Sequence, residues 1–285
     1  MEQPLTHDGT DDGTDGTDST LATAELTLQY PDGESPAVEE VSLAVDAGQL
    51  TALVGPNGSG KSTLLKGLSA QLSPETGRAI LDGRALASYD DTTLARRLGI
   101  LHQEPDGPDA LTVAELVSHG RYPYRGFLDQ LSDADRAAVE RALSLTGTAA
   151  LRDRALADLS GGQRRLAWLA MVLAQDTDVL LLDEPTTFLD LHHQLTVMQV
   201  VRELRDTDGV AIVAVLHDIE QAARYADEMV VLSAGCVVAR GPPAEVVTPE
   251  LLARVFGVEA TVDTDAQGVR VRPLRPLAQH SGERR

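Results

Sequence analysis

The chain has 285 residues, a net charge of −20 and a single cysteine, Cys236. That length holds one substantial core with an inserted unit. One cysteine excludes an internal disulfide and a cysteine-built metal cluster, and Cys236 reads as a small buried apolar residue. No apolar run reaches the ~18 residues of a membrane span, and no basic-then-apolar leader opens the sequence, so the expectation is a chain neither membrane-spanning nor secreted.

The charge balance sets 44 Asp and Glu against 24 Lys and Arg, and the only lysines are Lys61 and Lys66. Such a surface repels nucleic acid and anionic lipid. Its self-repulsion is best tolerated where salt screens it, the Debye length falling to ~3 Å at 1 M. A salt-loving source fits this composition, with an ordinary acidic bacterial protein as the alternative.

Residues 1–22 are rich in Asp, Thr and Gly with few large apolar side chains, and the expectation is a disordered acidic tail. Alternation at Leu26, Leu28 and Tyr30, and at Val41, Leu43 and Val45, predicts two antiparallel strands with one wet face; Pro31-Asp32-Gly33 supplies a turn. The short, nearly continuous apolar runs Leu50–Val54, Val179–Leu182 and Val210–Leu216 suit buried parallel strands of an α/β sheet. A mostly helical stretch over about 105–172 reads as an inserted subdomain. Within it, Ser132 caps a helix with the apolar face Ala138, Val139, Ala142 and Leu143, ended by Gly147, and Leu166, Leu169, Ala170 and Leu173 form a second stripe. Ile219, Ala222, Ala223 and Ala226 form a third. A hairpin from Met229–Leu232 through Ala234-Gly235 to Val237-Val238 closes the folded unit of residues 23–258. Residues 259–285 lack a sustained period and are expected to be loosely ordered.

Three motifs carry chemistry. Gly55-Pro56-Asn57-Gly58-Ser59-Gly60-Lys61-Ser62-Thr63 follows a predicted strand and opens a helix that Ser73-Pro74 stops, the context a phosphate loop requires. Its glycines turn backbone N–H groups toward one point, the helix dipole adds positive potential, Lys61 reaches phosphate oxygens and Ser62 can ligate Mg²⁺. Second, the strand Val179–Leu182 delivers Asp183 and Glu184 at its carboxyl end, where ligands collect in open α/β sheets. Asp183 suits Mg²⁺, and Glu184 can orient or deprotonate an attacking water. Third, Leu159-Ser160-Gly161-Gly162-Gln163 precedes the stripe from Leu166 and places glycines and a hydroxyl at another helix N-terminus, a second anion-binding surface.

The order of these three motifs, with Leu159–Gln163 matching the signature sequence letter for letter, resembles the ABC ATPases over about residues 23–258. The resemblance implies the fold of an ABC nucleotide-binding domain: a P-loop parallel core, an antiparallel β subdomain and the inserted helices. It implies that ATP with Mg²⁺ is bound between two copies of the chain, the signature of one facing the nucleotide of the other. Gln103 then matches the glutamine that touches Mg²⁺ and the hydrolytic water, His217 the switch histidine at the γ-phosphate, and Asp190 an aspartate crossing the dimer interface. Tyr30 matches the aromatic that stacks on adenine, or else is a strand core residue. Gly120-Arg121-Tyr122-Pro123-Tyr124-Arg125-Gly126, Glu184–Asp190, and Val215-Leu216-His217-Asp218 look most like importer subunits for ferric siderophores, haem and vitamin B12. Such subunits are peripheral on the cytoplasmic face of the membrane, bind membrane-spanning permeases, and are served indirectly by a substrate-binding protein. Tyr122 and Tyr124 are either part of the permease-facing surface or local packing. One departure is Arg164-Arg165-Leu166, since the family usually carries arginine at the third of these positions. His192 and His193 read as helix surface or interface segment because no partner ligands sit at metal spacing. The rival readings are a soluble ABC ATPase acting on nucleic acid or ribosomes, a regulatory ATP-binding module, and an exporter. A single phosphate loop and the lack of heptads or a basic patch weigh against the first, and Glu184 with His217 against the second.

Overall fold

The computed structural model describes residues 20–103, 107–126, 130–265 and 268–277. β1 (Leu21–Leu28) pairs antiparallel with β2 (Val38–Val45), and β3 (Leu50–Val54), α1 (Lys61–Leu68), β4 (Thr76–Leu81) and β5 (Arg84–Ala85) follow. α2 (Asp91–Arg97) leads into β6 (Leu98–Leu101), then come α3 (Val113–His119), α4 (Asp133–Leu145) and α5 (Gly161–Ala174). The chain continues through β7 (Val179–Asp183), α6 (Leu191–Asp208), β8 (Ala211–Val215) and α7 (Ile219–Tyr225). Two hairpins end it, β9 (Glu228–Ser233) with β10 (Cys236–Gly241), and β11 (Val258–Asp265) with β12 (Gly268–Pro276).

The central sheet has the order β10-β9-β3-β8-β7-β6, parallel except for the antiparallel edge strand β10. Every residue of β3, β7 and β8 is buried, which is why these segments read as nearly continuous apolar runs. An antiparallel sheet, β2-β1-β4-β5, forms a second layer. In β2, Val38, Val41, Leu43 and Val45 turn inward, and Leu26 stands opposite Val41 as the alternation predicts. α1 packs against both sheets. Its Leu64, Leu65 and Leu68 are fully buried with Leu26 and Leu28 on one side and Leu181 and Val213 on the other, about 1.5–3 kcal/mol of transfer free energy for each side chain. Burial on two faces fixes the helix, and the phosphate loop at its N-terminus is fixed with it.

α3, α4 and α5 pack together through Val117, Leu116, Val139, Leu143, Leu166 and Leu169. The same cluster continues into Leu180, Leu182 and Ile212 of the central sheet, so helices and sheet share one core. α4 begins in a capping box: Ser132 Oγ accepts from the Asp135 amide, and Asp135 Oδ2 accepts from the Ser132 amide. Asp135 also pairs with Arg121 at 2.8 Å, both side chains 7% exposed, and Arg121 donates to the Ala174 carbonyl at the end of α5. This buried pair ties the start of α4 to the end of α5.

Four expectations need correction. The acidic tail expected through residue 22 gives way earlier, because Leu21 and Ala22 already pair with Val45 and Ala44 and are buried; residues 1–19 lie outside the described residues. The segment expected to be loosely ordered from 259 forms the β11–β12 hairpin; residues 266–267 and 278–285 lie outside the described residues. Its apolar residues are few, but Ala260 and Val269 are buried, and Glu220 of α7 accepts from the Val271 amide at 2.7 Å. Cross-strand charges add to it: Glu259 stands opposite Arg275 and pairs with it at 2.6 Å, and Asp263 stands opposite Arg270. α1 ends at Leu68, ahead of the Ser73-Pro74 stop. Cys236 is exposed, because it starts an edge strand whose outward row faces solvent.

Candidate functional site

Four parallel strands bring the site together at their carboxyl ends. β3 runs into Gly55, β6 into Gln103, β7 into Asp183 and Glu184, and β8 into His217. The Pro56–Ser59 turn is closed by the Ser59 amide donating to the Pro56 carbonyl, and the β9–β10 turn braces it, since the Gly235 amide donates to the Ser59 carbonyl at 3.1 Å. Gly55 has φ 152, and a Cβ there would strike the Leu232 carbonyl, so the close approach of the loop to β9 requires glycine.

Gly60, in the left-handed region at φ 102, is the N-cap of α1 and supplies no side-chain cap. The first amides of the helix are left without a side-chain acceptor and directed at the loop, as an anion site demands. Lys61 is buried, and its ammonium donates to the Gly55 and Pro56 carbonyls at 2.9 Å each. Burial lowers its pKa, and Glu184 and Asp183 oppose that shift. Ser62 Oγ donates to Asp183 Oδ1 at 3.0 Å. Burial raises the Asp183 pKa, which the Ser62 hydrogen bond opposes.

Glu184 is the centre of the cluster. Its backbone lies at φ 49, sparsely populated for a residue with a Cβ, and the side chain is 10% exposed. Gln103 Nε2 donates to Glu184 Oε2 at 2.8 Å, and Thr187 Oγ1 donates to the same oxygen at 3.2 Å. His217 Nε2 lies 2.5 Å from Oε1. An ionised carboxylate only accepts, so the imidazole carries its proton on Nε2 in this contact. A cleft of about 460 Å³ opens over these groups, lined by residues 57–63 together with Gln103, Glu184, Thr187, Phe188 and His217.

Tyr30 lies past the end of β1 and is 38% exposed, so it is not a strand core residue. Its hydroxyl is 3.3 Å from Thr63 Oγ1 and accepts from Lys66 Nζ at 3.3 Å, and the Thr63 contact lowers its pKa. The signature lies elsewhere: none of Leu159, Ser160, Gly161, Gly162 or Gln163 lines the cleft. Ser160 caps α5 in a box with Gln163, each satisfying the other's amide. Asp190 caps α6, accepting from the His193 amide and lying 2.9 Å from His193 Nδ1. The His193 ring packs where a Cβ on Gly162 would stand, 2.6 Å from its Cγ.

A family model for ABC transporters matches residues 38–187. The sequence is 46% identical over 245 residues to the petrobactin import ATP-binding protein of Bacillus anthracis, covering 86% of this chain and 89% of that one. The chain belongs to the ABC transporter family. This ABC subunit is also 43% identical over 241 residues to the ferric enterobactin transport ATP-binding protein of Escherichia coli, with 85% and 88% covered. Its fold superposes, at a TM-score of 0.70 and 28% identity, on a dimeric ATP-binding cassette in a post-hydrolysis state with ADP and Pi, covering 78% of this chain and 98% of that one. The ABC nucleotide-binding fold expected from the motifs is the fold observed, and the chain is an ATP hydrolase of the ABC type.

Sequence reasoning missed several groups around the site. Thr187 could have been found from its place beside Glu184, and Phe188, 92% exposed at φ 62, from a large aromatic in a loop after Pro185. Arg165 and His193 had no such signal, because what they touch is distant in sequence. Tyr124 lies under Arg121, whose guanidinium is 3.8 Å from its ring centre, and so packs locally. Tyr122 is 57% exposed and stacked on His119 at 4.7 Å.

Proposed function

We propose that this ABC ATPase is the motor subunit of an importer for ferric siderophores or a related metal chelate, acting as a head-to-tail pair of copies on the cytoplasmic face of the membrane. The pair would drive membrane-spanning permeases, with a substrate-binding protein delivering cargo on the other side. The cargo reading rests on the petrobactin and ferric enterobactin relatives. No described helix is long and apolar enough to cross a membrane, which accords with a membrane path supplied by other chains. Tyr122, exposed on the helical unit, suits the permease-facing surface. The single observation that carries the catalytic reading is the convergence of Gln103 and His217 on the Glu184 carboxylate beside the phosphate loop.

The residues fit a Mg²⁺ ion. No group of three or more His, Cys, Asp or Glu suited to a metal occurs among the described residues. One carboxylate and one hydroxyl, Asp183 and Ser62, is the sparse donor set suited to an ion that takes its other ligands from phosphate and water. Gln103 spends its amide nitrogen on Glu184, leaving its carbonyl oxygen for the ion. Bound there by Ser62, Asp183 and Gln103, Mg²⁺ would neutralise phosphate charge.

The chain's own groups do the rest. The open N-terminus of α1 and the loop amides of Gly55 to Thr63, excepting Pro56, bind the phosphates. Lys61 exchanges its two carbonyl partners for phosphate oxygens, and Tyr30 stacks on adenine. Glu184 accepts the proton of the attacking water as its oxygen bonds to the γ-phosphorus and ADP leaves, while His217 and Gln103 hold the carboxylate in place. Ser160 and Gly162 of a second copy close the γ-phosphate side, with Asp190 at the seam. The absence of signature residues from the chain's own cleft supports that two-copy arrangement.

Glu184→Gln tests the assignment. The variant is expected to bind ATP and pair as wild type does, while turnover in molar KCl falls by on the order of 10²-fold or more. Wild-type turnover in that variant would remove Glu184 from the role.

A further inference from the structure

Arg165 is 8% exposed, an unusual place for an arginine, and no carboxylate among the described residues pairs with it directly. Among the described residues its guanidinium is satisfied by backbone alone. Nη1 donates to the carbonyls of His102 and Gln103 at 2.6 and 2.7 Å, Nη2 to those of Asp183 and Glu184 at 2.9 and 3.1 Å, and Nε to that of Pro185 at 3.4 Å.

These five carbonyls mark where β6 and β7 part. The parallel ladder between the two strands ends at Leu101 opposite Leu182. Beyond it the chains separate, and Gln103 and Glu184 meet through their side chains instead. A planar fork with five N–H groups takes over where the ladder stops, and it holds Glu184 by its own carbonyl in a backbone conformation that needs outside support. Burial pushes the Arg165 pKa down to about 10, with Asp183 and Glu184 opposing, so the group stays cationic at neutral pH.

Arg165 lies in the first turn and a half of α5, whose cap is Ser160. One side chain therefore joins the signature helix to both strand ends that present Gln103, Asp183 and Glu184. We propose that Arg165 is a positioning residue that couples the two ATP sites, transmitting engagement of a chain's signature by its partner's nucleotide to that chain's own Gln103–Glu184 pair. This rests on the two-copy reading given above.

The test uses the full chain in molar KCl. ATP hydrolysis is measured against MgATP concentration for wild type, Arg165→Lys, Arg165→Met and Glu184→Gln, with a melting temperature and binding of a fluorescent ATP analogue for each. Arg165→Met is expected to lower kcat about 10- to 100-fold with KM within about twofold, and to bring a wild-type Hill coefficient near 2 down toward 1. Arg165→Lys, keeping the charge but not the fork, recovers part of the kcat while the Hill coefficient stays low; it also serves if the methionine variant does not fold. A purely structural role would lower the melting temperature and leave kcat per folded chain and the Hill coefficient at wild-type values, which overturns the proposal. So would a wild-type Hill coefficient of 1. If Glu184→Gln is inactive while the Arg165 variants match wild type, the coupling fails and the catalytic reading stands. Wild-type turnover in Glu184→Gln would instead overturn the catalytic reading.

Discussion

Two helix N-termini in this molecule carry glycines and face anions in the proposed cycle, yet they are finished differently. At α1 the cap is Gly60, with no side chain to occupy the leading amides, and the cleft above it is lined by the chain's own residues. At α5 Ser160 and Gln163 satisfy each other's amides in a capping box, and the His193 ring covers Gly162. The first end is open and bound to attract phosphate within one chain. The second is closed by local partners, so a second copy must bring a ligand strong enough to compete with its own cap. A capping box of this kind is worth about 1 kcal/mol, small beside the charge-assisted hydrogen bonds a γ-phosphate offers. In the proposed cycle the difference makes one surface the permanent nucleotide site and the other a surface that engages on association.

The largest effect expected from breaking this contrast comes at the open end. Lys61→Ala removes the one ammonium buried in the loop, and turnover should fall by on the order of 10²–10³ with a matching loss of affinity for a fluorescent ATP analogue. Binding at wild-type strength would mean that the α1 amides suffice alone. At the closed end, Gly162→Ala sets a methyl group 2.6 Å from His193 Cγ and 2.7 Å from Nδ1, so either the His193 ring leaves its place beside Asp190 or α5 and α6 shift apart. Displacement on the ångström scale costs up to about 10²-fold in rate. Turnover is expected to drop about 10- to 100-fold while the analogue binds a single chain within twofold of wild type. If affinity falls in step with turnover, the two ends are not separable in the way the caps suggest.

The same contrast governs what the sequence disclosed. Residues 55–63 and 159–163 were legible because a backbone turned around an anion needs glycines and hydroxyls at fixed spacing, and that need is written in consecutive letters. The parallel strands were legible because burial on both faces leaves only Thr51 and the terminal Asp183 as polar positions in β3, β7 and β8. Arg165 gave no signal of its own, since its partners are carbonyls that every residue possesses, and the departure in that helix is Leu166. The β11–β12 hairpin was hidden because two buried side chains and cross-strand charges give no hydrophobic period, and it is placed by α7, far off in sequence. Tyr122 and Tyr124 are two letters apart and alike in type, but only Tyr124 lies under Arg121. The contacts that add to this are long-range, Arg96 lying over the Tyr124 ring and the Tyr124 hydroxyl donating to the Asp176 carbonyl.

The smallest effect expected concerns what holds α5 in place at its far end. Asp135 and Arg121 join α4 to the end of α5 without touching the nucleotide cleft. The Ser132 hydroxyl, assisted by Arg121, holds the Asp135 carboxyl down at about 2 from an ordinary 3.8. A carboxyl depressed on folding stabilises the fold fully above its unfolded pKa, and that contribution is lost as the pH falls from about 4 through 2. Asp135→Asn leaves Arg121 buried without its counter-charge, a loss of about 2–3 kcal/mol for a depression of that size, each kcal/mol shifting the melting point by roughly 2–4 °C. Wild type and variant should therefore differ most in melting temperature at neutral pH. The gap should narrow below pH 4 and close near pH 2, while affinity for the ATP analogue at pH 7 stays unchanged. A gap that persists at pH 2 would show that the pair contributes through packing and hydrogen bonds, not through charge. An altered affinity would show that the far end of α5 reaches the phosphate loop after all.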